Sequence, residues 1–174
     1  MTQRRIYQTQ YPYFVTFNTR RGFCTFDNVT CAKILSDVIF QTCRIKNFQI
    51  LIYQIMPDHV HMLICNIVPA HPAVGARGGN TGPTAGTAAR ARFYTISQLV
   101  HGIKSYYYTT AYKKFKITLS PFQSRFNSRV VNDSEYLKRI IRYVEYNPIK
   151  ACLPLHYRHH PYQFINWEAI HRLF

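Results

Sequence analysis

Apolar residues recur along the chain at two spacings, which predict an alternation of strands and helices. The aromatic and β-branched segment Tyr13–Thr19 predicts a first strand. Between Ala32 and Cys43 the apolar residues recur at helical spacing, which predicts a helix capped within residues 27–30 and ending near Lys46. The segments Phe48–Met56 and His59–Ile67 then predict two strands joined by a tight turn, and therefore a hairpin.

The second half of the chain repeats part of this order. Helical spacing predicts a helix over Thr95–Lys114, and the segment Phe122–Val131 predicts a further strand. A last helix is predicted over Glu135–Tyr146, with its cap among residues 132–134. We expect Asn147-Pro148 to end this helix, because proline disfavours helical geometry in the residue before it.

The predicted order β-α-β-β-α-β, followed by an extra C-terminal helix, is that of a ferredoxin-like sandwich. The fold class is therefore α+β, with an antiparallel sheet, helices on one face and the extra helix at the C-terminal end. At 174 residues we expect a single domain over 1–174. A flexible insert rich in Gly, Ala and Pro interrupts it at about 69–92, a stretch with five of the seven glycines and no Leu, Ile, Phe or Tyr.

The charge of the chain indicates the kind of partner it binds. It has 22 Lys and Arg but only 7 Asp and Glu, which gives a net charge of +15. The cations lie among 14 tyrosines and 12 phenylalanines. Cations bind phosphates, and aromatic faces stack on unpaired bases. The combination is typical of proteins that bind single-stranded nucleic acid. No apolar stretch is long enough to span a bilayer, so we expect a soluble cytoplasmic protein without a membrane partner. The five cysteines form no C-x-x-C pair and are interpreted as reduced thiols.

Two histidines are candidate metal ligands. His59 and His61 are separated by one residue on a predicted strand, so their side chains point to the same face. Two imidazoles leave an ion without enough ligands, and a third donor must come from elsewhere. An oxygen donor would suit Mg²⁺ or Mn²⁺.

The last helix offers candidates for that donor and for a nucleophile. Tyr143 and Asn147 are four residues apart and share one helical face. The Asn147 amide oxygen could complete the metal shell while the Tyr143 phenol faces the same ion. Packing of the tyrosine and helix termination by Asn147 are alternative interpretations that spacing alone leaves open.

Two segments together resemble a known family. Met56–Ile64 (MPDHVHMLI) resembles the histidine signature of the HUH single-tyrosine transposases, and Tyr143–Leu153 (YVEYNPIKACL) resembles the tyrosine segment of their REP-associated branch. The stretch from Phe122 to Leu137 is similar to the segment that leads into the family's last helix. The chain departs from the family at Cys152, where glycine is usual, and at the insert.

The resemblance implies an enzyme that cuts and rejoins single-stranded DNA. His59 and His61 would be the paired ligands of a divalent ion, Asn147 the third protein ligand and Tyr143 the nucleophile on a catalytic last helix. The expected intermediate is a 5′-phosphotyrosine beside a free 3′-hydroxyl. For the general base, a metal-held water, Tyr146 and Glu145 stay open.

The DNA is expected to be single-stranded, with a hairpin, and bound by a monomer or a homodimer. Candidate contacts to its backbone are Arg4, Arg5, Arg20, Arg21, Arg125, Arg129 and Lys150. A degraded or domesticated relative that binds DNA or RNA without cutting it is the alternative function.

Overall fold

The computed structural model describes residues 11–67 and 94–173. Its strands are β1 (Tyr13–Asn18), β2 (Phe48–Ile55), β3 (His59–Asn66), β4 (Asn127–Val130) and β5 (Gln163–Ile165). Its helices are α1 (Val29–Ile45), α2 (Ile96–Phe115), α3 (Ser134–Lys150) and α4 (Trp167–His171), and short 3₁₀ turns lie at Arg20–Gly22, Thr25–Asp27 and Leu155–Arg158. No helix in these ranges is long and apolar enough to cross a membrane.

The five strands form one antiparallel sheet in the order β4-β1-β3-β2-β5. The first four strands have the order of a ferredoxin-like sandwich, which confirms the predicted fold class. Strand β3 is central, and its histidine end pairs with the C-terminal ends of β1 and β2 through Asn18↔His59 and Ile55↔Val60.

Each face of the sheet is covered by helices. Alternate residues of the strands, such as Val15, Tyr53 and Met62, pack with apolar residues of α1 and α2 on one face. Leu63 and Ile52 pack on the other face with buried residues of α3 and α4. The amphipathic α3 therefore lies over the centre of the sheet, on the face opposite α1 and α2.

Polar caps fix where the long helices begin. The Asn28 side chain accepts from the backbone N–H groups of Thr30 and Cys31 at the start of α1. Asp133 does the same for Glu135 and Tyr136 at the start of α3. These contacts confirm the caps that the sequence predicted for both helices.

Two predicted boundaries were wrong. Helix α3 does not end at Asn147-Pro148 but continues to Lys150, with Pro148 buried inside it. The proline removes one backbone donor, and burial of its ring offsets that loss. The strand predicted over Phe122–Val131 is confined to β4, while Phe122 forms only an isolated bridge to Thr19.

The predictions also omitted β5, α4 and the 3₁₀ turns, which leave no periodic pattern because each is three to five residues long. The insert at about 69–92 lies outside the described residues, as do Arg4 and Arg5.

Candidate active site

Strand β3 places two histidines beneath α3. His59 and His61 point to the α3 face, while Val60 and Met62 point into the core formed with α1 and α2. Their rings meet edge to face with centroids 4.7 Å apart. The paired geometry predicted from the His-x-His spacing is therefore present.

His61 is nearly buried and is held at both ring nitrogens. Its exposed fraction is 5%, its Nδ1 lies 2.8 Å from the Thr16 hydroxyl, and its Nε2 lies 3.2 Å from the Tyr143 phenol. A neutral imidazole carries one N–H, so His61 donates one of these bonds and accepts the other. When Nδ1 donates to Thr16, Nε2 accepts from Tyr143.

The environment of His61 keeps its ring neutral. Burial, and then the neighbouring His59, lower the pKa of His61 to about 3, although the Asp58 carboxylate acts in the opposite direction. At physiological pH its nitrogen lone pair is therefore available to a proton donor or to an ion.

His59 is half-buried and is oriented by the residue before it. Its Nδ1 lies 2.6 Å from a carboxylate oxygen of Asp58. Donation from Nδ1 to a carboxylate leaves Nε2 with its lone pair, which is the arrangement of histidines that bind metals in proteins. The tight turn and the strand thus supply the candidate ligand and its orienting partner together.

Helix α3 brings Tyr143 to the histidines. Its buried residues Ile140 and Val144 pack on Leu63 and Ile52 of the sheet, which fixes the rotation of the helix. Tyr143 then lies at the edge of this contact, with its ring 5.1 Å from that of His61 and 45% of its surface exposed. The phenol is thus both anchored to His61 and partly exposed.

Asn147 follows Tyr143 by one helical turn. Its Nδ2 atom is buried, and within the described residues it has no hydrogen-bond partner. An unpaired buried amide is costly, which indicates that a further group belongs beside it. Rotating the side-chain amide by 180° places Oδ1 where Nδ2 lies. An amide oxygen is a ligand that suits a hard divalent ion.

The donor set therefore fits a divalent ion if the amide takes part. Residues 11–67 and 94–173 contain no group of three or more His, Cys, Asp or Glu that could hold a metal by themselves. The two imidazoles of His59 and His61 and the unpaired amide of Asn147 leave further coordination positions to substrate oxygens or water.

Five of the candidate DNA contacts lie within the described residues, after β1, in or before β4, and at the end of α3. Arg20 and Arg21 form the turn after β1, Arg125 lies in the loop before β4, and Arg129 lies on β4 opposite Phe14. Lys150 is the last residue of α3. All five side chains are exposed, whereas Arg4 and Arg5 lie outside the described residues.

Three polar residues next to the site were not predicted from the sequence. Thr16, His61, Gln54 and Gln163 are successive partners across β1, β3, β2 and β5. The Gln163 amide donates to Gln54 Oε1 at 2.8 Å and to the backbone carbonyl of Glu145 on α3 at 3.2 Å. Polar residues within apolar strands were a signal for Thr16 and Gln54, while Gln163 lies on a strand too short to predict.

Known proteins resemble the chain in sequence and in fold. Residues 5–72 match the family of IS200-like transposases, and no curated protein matches the sequence. A REP-associated tyrosine transposase solved with a REP hairpin superposes with a TM-score of 0.67 at 16% identity, covering 100% of this chain and 88% of that one. A proposed transposase from Deinococcus radiodurans R1 gives a TM-score of 0.48 at 16% identity, with 83% and 96% covered.

The histidine signature lies inside the matched sequence, and the last helix lies inside the matched fold. The resemblance to the single-tyrosine transposases is thereby confirmed: residues 5–72 match the IS200-like transposase family, and the chain has the fold of a REP-associated tyrosine transposase.

Proposed function

We propose that this protein is a metal-dependent endonuclease and strand transferase that acts on single-stranded DNA. The observation that carries the proposal is the contact between the Tyr143 phenol and Nε2 of His61, beside the second ring of His59. A nucleophile with an accessible hydroxyl next to two imidazoles is the arrangement that metal-assisted transesterification requires.

In the proposed reaction the Tyr143 oxygen attacks a DNA phosphorus and loses its proton. The bond from phosphorus to the 3′ oxygen breaks, and that oxygen takes up a proton, which leaves a 3′-hydroxyl and a 5′-phosphotyrosine. One phosphodiester is exchanged for another, so a free 3′-hydroxyl of another strand can reverse the step and join the strands without an external energy source. A bound Mg²⁺ or Mn²⁺ would supply Lewis acidity for this exchange.

His59, His61 and Asn147 would hold the ion. Asp58 and Thr16 orient the two imidazoles through their Nδ1 atoms, so both Nε2 atoms are the candidate donors. Because a ring nitrogen has one lone pair, His61 can serve either the ion or the phenol. Ligation through His61 would therefore release Tyr143 from its hydrogen bond and free it for the phosphate.

The substrate is proposed to be an unpaired strand, with a hairpin nearby. The exposed arginines and Lys150 suit a DNA backbone, and an unpaired strand reaches the phenol without the cost of unstacking a duplex. The structural relative is bound to a REP hairpin, which supports hairpin DNA as the first class to test. We expect a monomer or a homodimer, and light scattering distinguishes the two.

Trapping the intermediate tests the proposal. We expect a covalent protein–DNA adduct on a denaturing gel after incubation with a pooled library of labelled hairpin oligonucleotides and Mn²⁺ or Mg²⁺. Chelation, Tyr143→Phe and His61→Ala should each abolish the adduct. Tyr106→Phe, at an exposed tyrosine of α2, is the matched control that should retain it. DNA binding without an adduct would instead identify a non-catalytic module.

A further inference from the structure

An exposed aromatic side chain lies on the turn that follows β1. This arginine–phenylalanine turn consists of Arg20, Arg21, Gly22 and Phe23. Phe23 has 62% of its surface exposed, and both arginines are exposed beside it. Removing a phenylalanine ring from water lowers the free energy, so a partner that covers Phe23 gains stability from the contact.

The backbone of the turn is fixed by its own hydrogen bonds. The buried Thr19 hydroxyl donates to the Phe23 carbonyl at 2.8 Å, and the Phe23 N–H donates to the Arg20 carbonyl at 3.2 Å. Arg21 and Gly22 have φ values of 55° and 69°, which close the turn tightly. Phe23 is therefore presented on a defined turn, which lowers the entropic cost of using it for binding.

The turn is joined directly to the candidate active site. The Thr19 N–H donates to the Asp58 carbonyl at 2.7 Å, and the Asp58 carboxylate accepts from His59. On its other side the Arg20 N–H donates to the Pro121 carbonyl, which belongs to the loop that carries Arg125. The turn is thus connected both to the histidine pair and to the loop of a third exposed arginine, Arg125.

Charge decides what kind of partner this surface fits. Arg20 and Arg21 lie on the same turn as Phe23, and Arg125 lies in the loop that this turn is bonded to, in a chain of net charge +15. An apolar protein partner would have to cover these cations, whereas nucleic acid supplies phosphates for them and a flat base for the ring. An unpaired base is required, because a base within a duplex is already stacked on its neighbours.

We propose that Phe23 stacks on an unpaired base of the bound strand next to the phosphate that Tyr143 attacks, while Arg20 and Arg21 contact the adjoining phosphates. This inference rests on the proposed function and names how its substrate is held. Stacking on an aromatic face tolerates every base, so Phe23 sets the position of the strand and selects for unpaired DNA.

Equilibrium binding of oligothymidine tests the proposal in a Tyr143→Phe background, where no adduct can form. Phe23→Ala and Phe23→Leu should each raise the Kd about fivefold or more, because leucine keeps the apolar surface but offers no aromatic face. Phe23→Trp should retain binding. In a Trp167→Phe background the introduced indole is the single tryptophan, and its fluorescence should be quenched by the bound thymines.

Two comparisons separate stacking from a structural effect. Binding of a duplex of the same length should be unchanged by Phe23→Leu. As a second control, Ile45→Ala removes an exposed apolar side chain at the C-terminal end of α1 and should leave the affinities for single-stranded and duplex DNA unchanged. Equal weakening of single-stranded and duplex binding, full binding by Phe23→Leu, or an unquenched indole would each overturn the proposal. All of these binding measurements use proteins that lack the Tyr143 phenol. Failure to trap an adduct with the unmodified protein would therefore contradict the nuclease activity, whereas the affinities would still decide whether Phe23 stacks on a base.

Discussion

At the scale of single residues, His61 connects the sheet to α3 through its two ring nitrogens. Thr16 holds one nitrogen and Tyr143 contacts the other. The ring is also stacked on Phe14 at a centroid distance of 5.5 Å. Its position and its neutral state are therefore determined by neighbours from β1, β3 and α3 together.

Removing the Thr16 hydroxyl should weaken the chemistry without removing a ligand. Thr16→Val keeps the shape of the side chain but leaves Nδ1 of His61 without its partner. We expect adduct formation to slow about tenfold or more, because the groups that orient metal-binding histidines contribute on that scale. Thr16→Ser keeps the hydroxyl and should retain the rate, and an unimpaired Thr16→Val would contradict this role.

The buried His61 should also make the stability of the protein depend on pH. Its pKa is about 3 in the folded state and about 6.5 in an unfolded chain. Below about pH 6.5 the unfolded state binds more protons, so the free energy of unfolding falls as the pH falls.

Urea unfolding at a series of pH values, with a chelator present, measures this dependence. His61→Gln removes the titrating group. Below about pH 6.5 the unfolding free energy of this variant should therefore fall less steeply than that of the unmodified protein, with a difference in slope of up to about 1.4 kcal/mol per pH unit. Parallel curves for the two proteins would show that His61 is not the group responsible.

At the scale of elements, α3 is held over the site by its apolar face and by a polar contact from β5. Gln54 is fully buried and donates to the carbonyls of Ile55 and Tyr157, while its own oxygen accepts from Gln163. Gln163 also donates to the Glu145 carbonyl, between Tyr143 and Asn147 on α3. Strand β5 therefore contributes to the position of the helix that carries the nucleophile.

Loss of the Gln163 amide should destabilise the fold. Gln163→Met preserves length but leaves the buried Gln54 oxygen without its donor. We expect the free energy of unfolding to fall by about 1–3 kcal/mol, the cost of an unsatisfied buried polar group. Gln41→Met on the exposed side of α1 is the matched control and should change the unfolding free energy by less than about 0.5 kcal/mol. Equal stabilities in urea would contradict the role of Gln163.

The long elements could be predicted from the sequence because their apolar residues recur with the period of a strand or a helix. The end of α3 could not, since burial of Pro148 within the folded chain overrides a local rule about proline. The His59 and His61 pair was predicted by alternation alone. Thr16 was not, because its partner lies 45 residues away and only the strand register brings the two together.

At the scale of the whole molecule, the candidate site lies on one side of the sheet. The face of the sheet covered by α3 carries the histidines, Tyr143 and Arg129, and the turn with Arg20 and Arg21 adjoins it. The opposite face is covered by α1 and α2. A polyanion attracted by the net charge of +15 would therefore meet the chemistry on the α3 side.

Salt dependence should reveal which cations contact DNA. The affinity of the Tyr143→Phe protein for oligothymidine should fall linearly with salt on logarithmic axes, because bound cations release counterions. Arg125→Gln and Arg129→Gln should each reduce the slope by about 0.7. Lys33→Gln, on the exposed side of α1, should not change it. Slopes that respond to Lys33 and not to the arginines would place the DNA on the other side.

The identity of the residue joined to DNA tests the central claim most directly. The trapped adduct would be digested with trypsin and nuclease and its modified peptide fragmented in a mass spectrometer. Residues 143–150 form one tryptic peptide with two exposed tyrosines, Tyr143 and Tyr146. We predict that the nucleotide is attached to Tyr143, the tyrosine in contact with His61. Attachment to Tyr146, or to a residue outside α3, would contradict the account.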